Sequence, residues 1–237
     1  MNTSISTRFQ GVKRAEVAGL FYPEDAGTLS RIVDLALSEA RERVSPSPSP
    51  PKAIFSPHAG YPYSAPVAGS AYAHLESGRN KLQRVIVIGP AHRFGFRGMA
   101  LCSAEEFETP LGRIPADTSA LERVLDLPSV QVLNQAYQRE HSLETQFPFL
   151  QTLLCDFQVV PIIVGQCDPV FVAQVLDALW GGPETCFVIS SDLSHFLTDT
   201  DARRMDSQTS NLIETGRGDQ LTSRHACGFL PIQGLLQ

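Results

Sequence analysis

No run among the 237 residues approaches the roughly 18 apolar positions that a bilayer span needs, and Met1 to Arg14 holds no apolar signal core. The expected location is therefore the cytoplasm, away from any membrane. Cysteine is scarce: Cys102, Cys155, Cys167, Cys186 and Cys227 are odd in number, scattered, and form no CxxC pair, which argues against a disulfide framework or a zinc knuckle. Basic residues form no block. With 19 of them against 25 acidic ones the net charge is −6, which excludes the electrostatic footprint of a nucleic-acid binder. Glycine forms no phosphate-cradling pattern, and Gly-x-Ser-x-Gly is missing around Ser190 and Ser191, so neither a nucleotide site nor a serine hydrolase is indicated.

What is there is an ordinary globular mix, 43% apolar and 19% charged, enough to build a sizeable core. Residues 1–13 are polar and aperiodic and read as a flexible arm, leaving 14–237 as one α/β domain. After Pro23-Glu24-Asp25, the positions Leu29, Ile32, Val33, Ala36 and Ala40 share one face at helical spacing, which predicts a helix to about Arg43. The proline-serine stretch Ser45 to Pro51 ends it as a stiff surface loop.

From Ala53 the pattern alternates. Ala53–Ser56, Arg84–Gly89, Gln158–Gly165 and Cys186–Ser191 read as strands, and 65–75, 119–125, 168–180 and 201–215 as helices. Apolar runs without polar alternation imply strands buried on both faces, hence a mainly parallel or mixed central sheet flanked by helices on both faces. In such sheets ligands bind outside the carboxyl ends of the strands, where His58, His92 and Asp192 fall.

Three segments then carry metal-capable side chains beside small residues: Pro57-His58-Ala59-Gly60, Gly89-Pro90-Ala91-His92 and His225-Ala226-Cys227-Gly228. Taken singly, each of these has a bland explanation as a hydrogen-bonded histidine or a buried thiol. Taken together, His58, His92 and Cys227 supply two imidazoles and a thiolate, three bonds that leave a position for water or substrate. The donor set admits iron, copper or zinc.

Two further constellations surround that set. In Glu140-His141-Ser142-Leu143-Glu144, His141 reads either as a proton donor in the crevice with Glu144 holding its ring, or as part of a helix start with a solvated acid. In Ser190 to Phe196, His195 follows Asp192 by three residues, the spacing of a general base and its orienting carboxylate; the rival reading is a helix cap and a surface histidine. His74 reads as a packing or surface residue, His225 as a neighbour of the Cys227 site, and the other four cysteines as core fillers.

In this order, Pro57-His58-Ala59-Gly60-Tyr61 with Tyr63-Ser64, Gly89-Pro90-Ala91-His92, Glu140 to Glu144, Ser190 to His195 and Cys227-Gly228 resemble the Memo family, the B component of the AmmeMemoRadiSam system. Ala18-Gly19-Leu20-Phe21-Tyr22-Pro23 is similar to that family's usual start, so the likeness runs from about residue 14 to the end. The resemblance implies a fold similar to class III extradiol dioxygenases, with His58, His92 and Cys227 at the metal positions and Fe(II) as the first expected ion. It further implies that His195 stands at the position of the dioxygenase base, with His141 and Asp192 lining the pocket and Tyr63 and Glu144 on the binding side. Cys227 departs from the ring-opening enzymes, which carry a glutamate there. The family pattern also implies a strand region after the apolar Phe229–Gln237 stretch, so the domain is read as open to truncation at its C-terminus.

The function expected on these grounds is a metal-dependent dioxygenase or oxidoreductase acting on a small, aromatic molecule. The competing expectation is a non-enzymatic module that holds a peptide or protein in the same crevice; a metal-assisted hydrolase stands third. Family association adds AMMECR-type and radical-SAM proteins as expected partners.

Overall fold

The computed structural model describes residues 8–45 and 47–237. In chain order the elements are β1 (Val12–Lys13), α1 (Ala26–Arg41), β2 (Ala53–Ser56), α2 (Tyr61–Ala73), β3 (Arg84–Pro90), β4 (Met99–Leu101), β5 (Glu106–Thr109), β6 (Gly112–Pro115), α3 (Thr118–Leu125), β7 (Val130–Val132), α4 (Phe147–Leu153), β8 (Gln158–Val164), α5 (Pro169–Ala178), β9 (Thr185–Ser190), α6 (Asp199–Glu214) and α7 (Phe229–Leu235). Six strands make the central sheet in the order β2-β9-β3-β8-β4-β7. The pairs β2/β9, β9/β3, β3/β8 and β4/β7 are parallel, and β4/β8 is antiparallel, so the sheet is mixed.

The sheet's centre is apolar on both faces. Val85, Ile86, Val87 and Ile88 of β3 and Phe187, Val188 and Ile189 of β9 are fully buried, a pattern that requires cover above and below. That cover comes from two helix groups, α1 with α2 and α4, and α5 with α3 and α7. Asp25 caps α1 by accepting from Thr28 N at 2.8 Å, and Leu29, Val33, Ala36, Leu37 and Ala40 form its buried stripe. Where α1 crosses α2, Gly69 lets the backbones meet: a Cβ there would stand 2.5 Å from Ala36 O.

Several elements differ from the sequence expectation. Residues 1–7 of the expected arm lie outside the described residues, and the rest of that stretch is docked. Phe9 is buried, and Val12–Lys13 pairs in parallel with β5 in a three-stranded sheet β1-β5-β6. A flexible arm over 1–13 therefore does not hold for this part, because one aromatic anchor and a strand pairing suffice to fix it. In the proline-serine loop, Pro46 lies outside the described residues. Among the described residues, no helix is long and apolar enough to cross a membrane.

Candidate metal centre

The parallel arrangement of β2, β9 and β3 brings three carboxyl ends to one edge of the sheet. Ser56 is in register with Ser190, and Ile88 with Ile189, so His58, His92 and Asp192 leave their strands side by side. His141 enters from the turn before Glu144–Gln146, and Cys227 from the turn before α7. The rings of His58 and His92 are 5.0 Å apart, of His58 and His141 5.3 Å, and of His92 and His141 4.5 Å, centroid to centroid. One ring nitrogen from each of the three falls within 4.8 Å of the others, so this group, with His58 buried, His141 half-buried and His92 at the mouth, can hold a metal ion.

Cys227 lies beside His58. Its Sγ stands 3.2 Å from His58 Nε2 and accepts from Asp192 N at 3.3 Å. Nitrogen and sulfur ligands bound at ~2.0 and ~2.3 Å to one tetrahedral ion stand roughly 3.5 Å apart, so the observed pair needs to open only slightly. Glycine at 228 is required for this approach: a Cβ would meet Ser191 Cβ at 2.7 Å and Ser190 O at 2.8 Å.

Glu140, absent from the sequence reading as a site residue, is the electrostatic hub. Its Oε1 faces His92 Nδ1 at 3.0 Å and accepts from the N–H groups of His141 and Ser142 at 2.9 Å each; Oε2 accepts from His92 N at 2.6 Å. Burial works against its charge, yet these bonds, led by His92, hold the carboxyl at about 2. His92 responds in the opposite sense. Burial favours its neutral ring, but hydrogen bonds to Cys227 and Glu140 raise it to about 9. Burial would also raise the Cys227 thiol, but bonds from His58 and His92 bring it down to about 6. For His141, burial dominates; Glu140 opposes it, the other two imidazoles reinforce it, and the ring falls to about 4. Near neutral pH the metal-free crevice thus holds a thiolate, a charged His92 and a neutral His141. A deprotonated sulfur beside a neutral imidazole suits a cation. His141 Nδ1 adds a second sign: it is buried and lies 3.4 Å from Glu140 Oε1 without forming an aligned hydrogen bond.

The remaining expected residues fall at different distances from this centre. Asp192 Oδ1 accepts from His58 N and Ala59 N at 2.8 and 3.2 Å, while Oδ2 lies 4.0 Å from His58 Nε2 and 3.9 Å from His195 Nε2. His195 sits at the rim with its side chain 41% exposed. Tyr63, in the first turn of α2, is 83% exposed and stands in solvent. Glu144 corrects an expectation, because it does not hold the His141 ring. Its buried carboxylate accepts from Glu16 N, Val17 N and Tyr22 OH, at 2.9 Å from Val17 and 2.7 Å from Tyr22, and so clasps the N-terminal segment. The 3-10 turn that begins at Glu144 points it there, and the carboxylate beside His141 is its chain neighbour Glu140. Phe21 of the clasped segment stacks on His141 at 4.2 Å. His74 is exposed at the end of α2, and His225 Nδ1 accepts from Thr222 N at 3.1 Å in its own turn.

Ser190, which the sequence offered only as a serine without nucleophile-elbow glycines, stands with Gln146 behind His58; Gln146 was invisible to sequence reasoning, since a buried amide at a helix start carries no signature spacing. A groove of about 600 Å³ lined by Gln83, Arg113, Gln151 and Gln158 opens at the amino ends of β3 and β8, the edge opposite the histidines. Ligands of parallel sheets bind at the carboxyl ends, so the chemistry is assigned to the histidine edge.

The family profile described as Memo-like protein matches residues 13–231. Similar curated proteins include a MEMO1 family protein of Aquifex aeolicus, 31% identical over 93% of this chain and 83% of its own length. Another from Archaeoglobus fulgidus is 33% identical over 83% of this chain and 72% of its own, and one from Ignicoccus hospitalis 34% over 78% and 69%.

Proposed function

This chain belongs to the Memo family, and from that membership and the imidazole-thiolate cluster we propose that it is a metal-dependent oxidoreductase, with ferrous iron held by His58, His92 and Cys227. The observation that carries the reading is the 3.2 Å approach of Cys227 Sγ to His58 Nε2, one of three imidazoles whose nitrogens gather within 4.8 Å of one another. Copper or zinc would suit the same donors. When bound, the ion would supply Lewis acidity and a centre for electron exchange with oxygen.

The chain's own residues divide the remaining work. Phe21, stacked on His141, gives the crevice an apolar wall suited to a phenolic or other small aromatic substrate. His195 takes the substrate hydroxyl proton on Nδ1 while its Nε2–H turns to Asp192 Oδ2, 3.9 Å away before substrate arrives. His141, neutral because it is buried, donates a hydrogen bond to the developing oxyanion without adding a second positive charge beside His92.

Metal analysis of protein purified without oxygen, followed by oxygen uptake with a panel of catechols, tests this reading. Stoichiometric iron, together with an uptake rate that falls by about 10²–10⁴-fold in His195→Ala, is the expected result. Metal-free protein that consumes no oxygen with any catechol yet binds peptides would replace it with the binding-module reading.

A further inference from the structure

His58 and His92 are each steadied from behind by a hydrogen bond, with Ser190 Oγ at 2.8 Å and with Glu140 Oε1 at 3.0 Å, but His141 is not. Its Nδ1 is buried without a hydrogen-bond partner among the described residues, and Glu140 Oε1 stands 3.4 Å from it out of line. Packing takes the place of that bond. Phe21 lies 4.2 Å from the His141 ring at an interplanar angle of 21°, and His92 lies 4.5 Å from it at 30°, both stacked. Two rings at such separations would overlap if they shared one face, so they take opposite faces and His141 is held between them. His58 meets it edge-on at 5.3 Å. Turning the imidazole about its Cβ–Cγ bond would drive its edge into one of the stacked neighbours, so the sandwich fixes where its nitrogens point.

What holds Phe21 there is built into the same short segment as His141. The turn from Val17 to Tyr22 closes on itself: Gly19 N donates to Tyr22 O at 2.7 Å and Phe21 N to Val17 O at 2.9 Å, with Gly19 in the left-handed region at φ +78°. Phe21 O accepts from Tyr61 N at 2.7 Å, which ties the turn to the start of α2. Both ends of the turn are fastened to Glu144, whose Oε1 accepts from Val17 N and from Tyr22 OH. Glu144 follows His141 by three residues, and the backbone there is tight, since Thr145 N and Oγ1 both donate to His141 O, at 3.2 and 3.0 Å. Ring, carboxylate and cover thus form a closed circuit.

We propose that Phe21 is a positioning residue that holds the His141 ring against His92 with one nitrogen turned to the ligand cluster, and that Glu144 is in turn the positioning residue for Phe21. The placement stands on these contacts alone. Its chemical consequence, that His141 meets the substrate oxygen from one fixed direction, rests on the oxidoreductase reading above.

Side-chain NMR of the metal-free protein reads the placement without turnover, with the His141 signals identified by their loss in His141→Ala. A single χ1 rotamer, and ring protons shifted upfield by Phe21, are expected in the wild type. Phe21→Leu should lose both, its couplings averaging over rotamers, and Phe21→Tyr should keep both. Glu144→Gln should average the couplings although Phe21 is still present. Oxygen uptake by the iron-loaded protein is the second readout. Because leucine keeps the wall apolar, Phe21→Leu should lower kcat by about 10–100-fold with KM little changed, and should cost nothing further in the His141→Ala background. Averaged rotamers at His141 in the wild type overturn the proposal, as does a single rotamer that persists in Phe21→Leu. A cost of Phe21→Leu that is undiminished in His141→Ala also overturns it, since Phe21 would then act on its own. Should Phe21→Leu fail to fold, the Glu144→Gln couplings decide. Rotamers that respond as expected in protein that takes up no oxygen with any catechol support the positioning and overturn the oxidoreductase reading alone.

Discussion

At the scale of single residues, three side chains set the chemistry of the crevice through their charge states. Cys227, lowered to about 6, should react with iodoacetamide in the metal-free protein with a pH midpoint about three units below that of an ordinary thiol. A midpoint near the ordinary value would show that the imidazoles do not stabilise the thiolate. The His92–Glu140 pair governs stability in opposite directions at its two ends. His92 is raised from 6.5 to about 9, so its contribution is complete below 6.5 and is lost as pH rises through about 9. Glu140 is lowered from 4.5 to about 2, so its contribution is complete above 4.5 and is lost as pH falls through about 2. Glu140→Gln should therefore destabilise the metal-free protein most between pH 4.5 and 6.5, with the difference from wild type shrinking toward pH 9 as His92, which Cys227 also holds protonated, loses its charge. Denaturant melts across pH check this, and a difference that stays constant would contradict the pairing. The sequence pointed to His58, His92 and Cys227 because small residues flank each, but it could not point to Glu140: an acid next to a histidine is commonplace, and only the fold aims its carboxylate across to His92.

At the scale of elements, β3, β8 and β9 are legible to within a residue or so because burial on both faces leaves a nearly unbroken apolar run, whereas the edge strand β2, with Phe55 exposed, was placed by its short apolar run alone. Helix α2 is legible only in its later turns. It begins at Tyr61, ahead of the expected 65, because Pro62 sits in the first turn, where a missing N–H costs nothing. The short strands β1 and β4 to β7 give no period long enough to read, and partners distant in the chain define them. Two substitutions probe how elements hold one another. Gly69→Ala improves helix propensity by up to about 1 kcal/mol, but its Cβ would meet the backbone of α1 at Ala36, and overpacking of this kind costs about 1–3 kcal/mol; a net loss of stability is expected in thermal melts. Glu144→Ala removes the acceptor for Glu16 N, Val17 N and Tyr22 OH, so amide exchange at Val17 should accelerate toward that of an open segment. Unchanged protection at Val17 would mean that β1 and Phe9 alone hold the N-terminal stretch.

At the scale of the whole molecule, four chain segments up to 169 residues apart converge on one edge of the sheet, as the separation of His58 and Cys227 shows. A ligand that bridges them should stabilise the entire fold. At about 100 times its dissociation constant, a bound ion adds about 2.7 kcal/mol, and for a chain of this size that raises the melting temperature by about 5–11 °C. Calorimetry with and without iron or zinc should show this rise in the wild type and lose it in His58→Ala. An equal rise in the variant would place the ion elsewhere. The sequence by itself determined the class of the fold, because hydrophobic period is a local property, and it determined the donor types, because imidazole and thiolate chemistry belongs to the side chain. Only the tertiary structure decided that His141 joins His58 and His92, that Glu140 rather than Glu144 serves those rings, and that Ser190 backs His58. These are contacts between groups with no fixed spacing along the chain, and their geometry comes into being only when parallel strands place their carboxyl ends together.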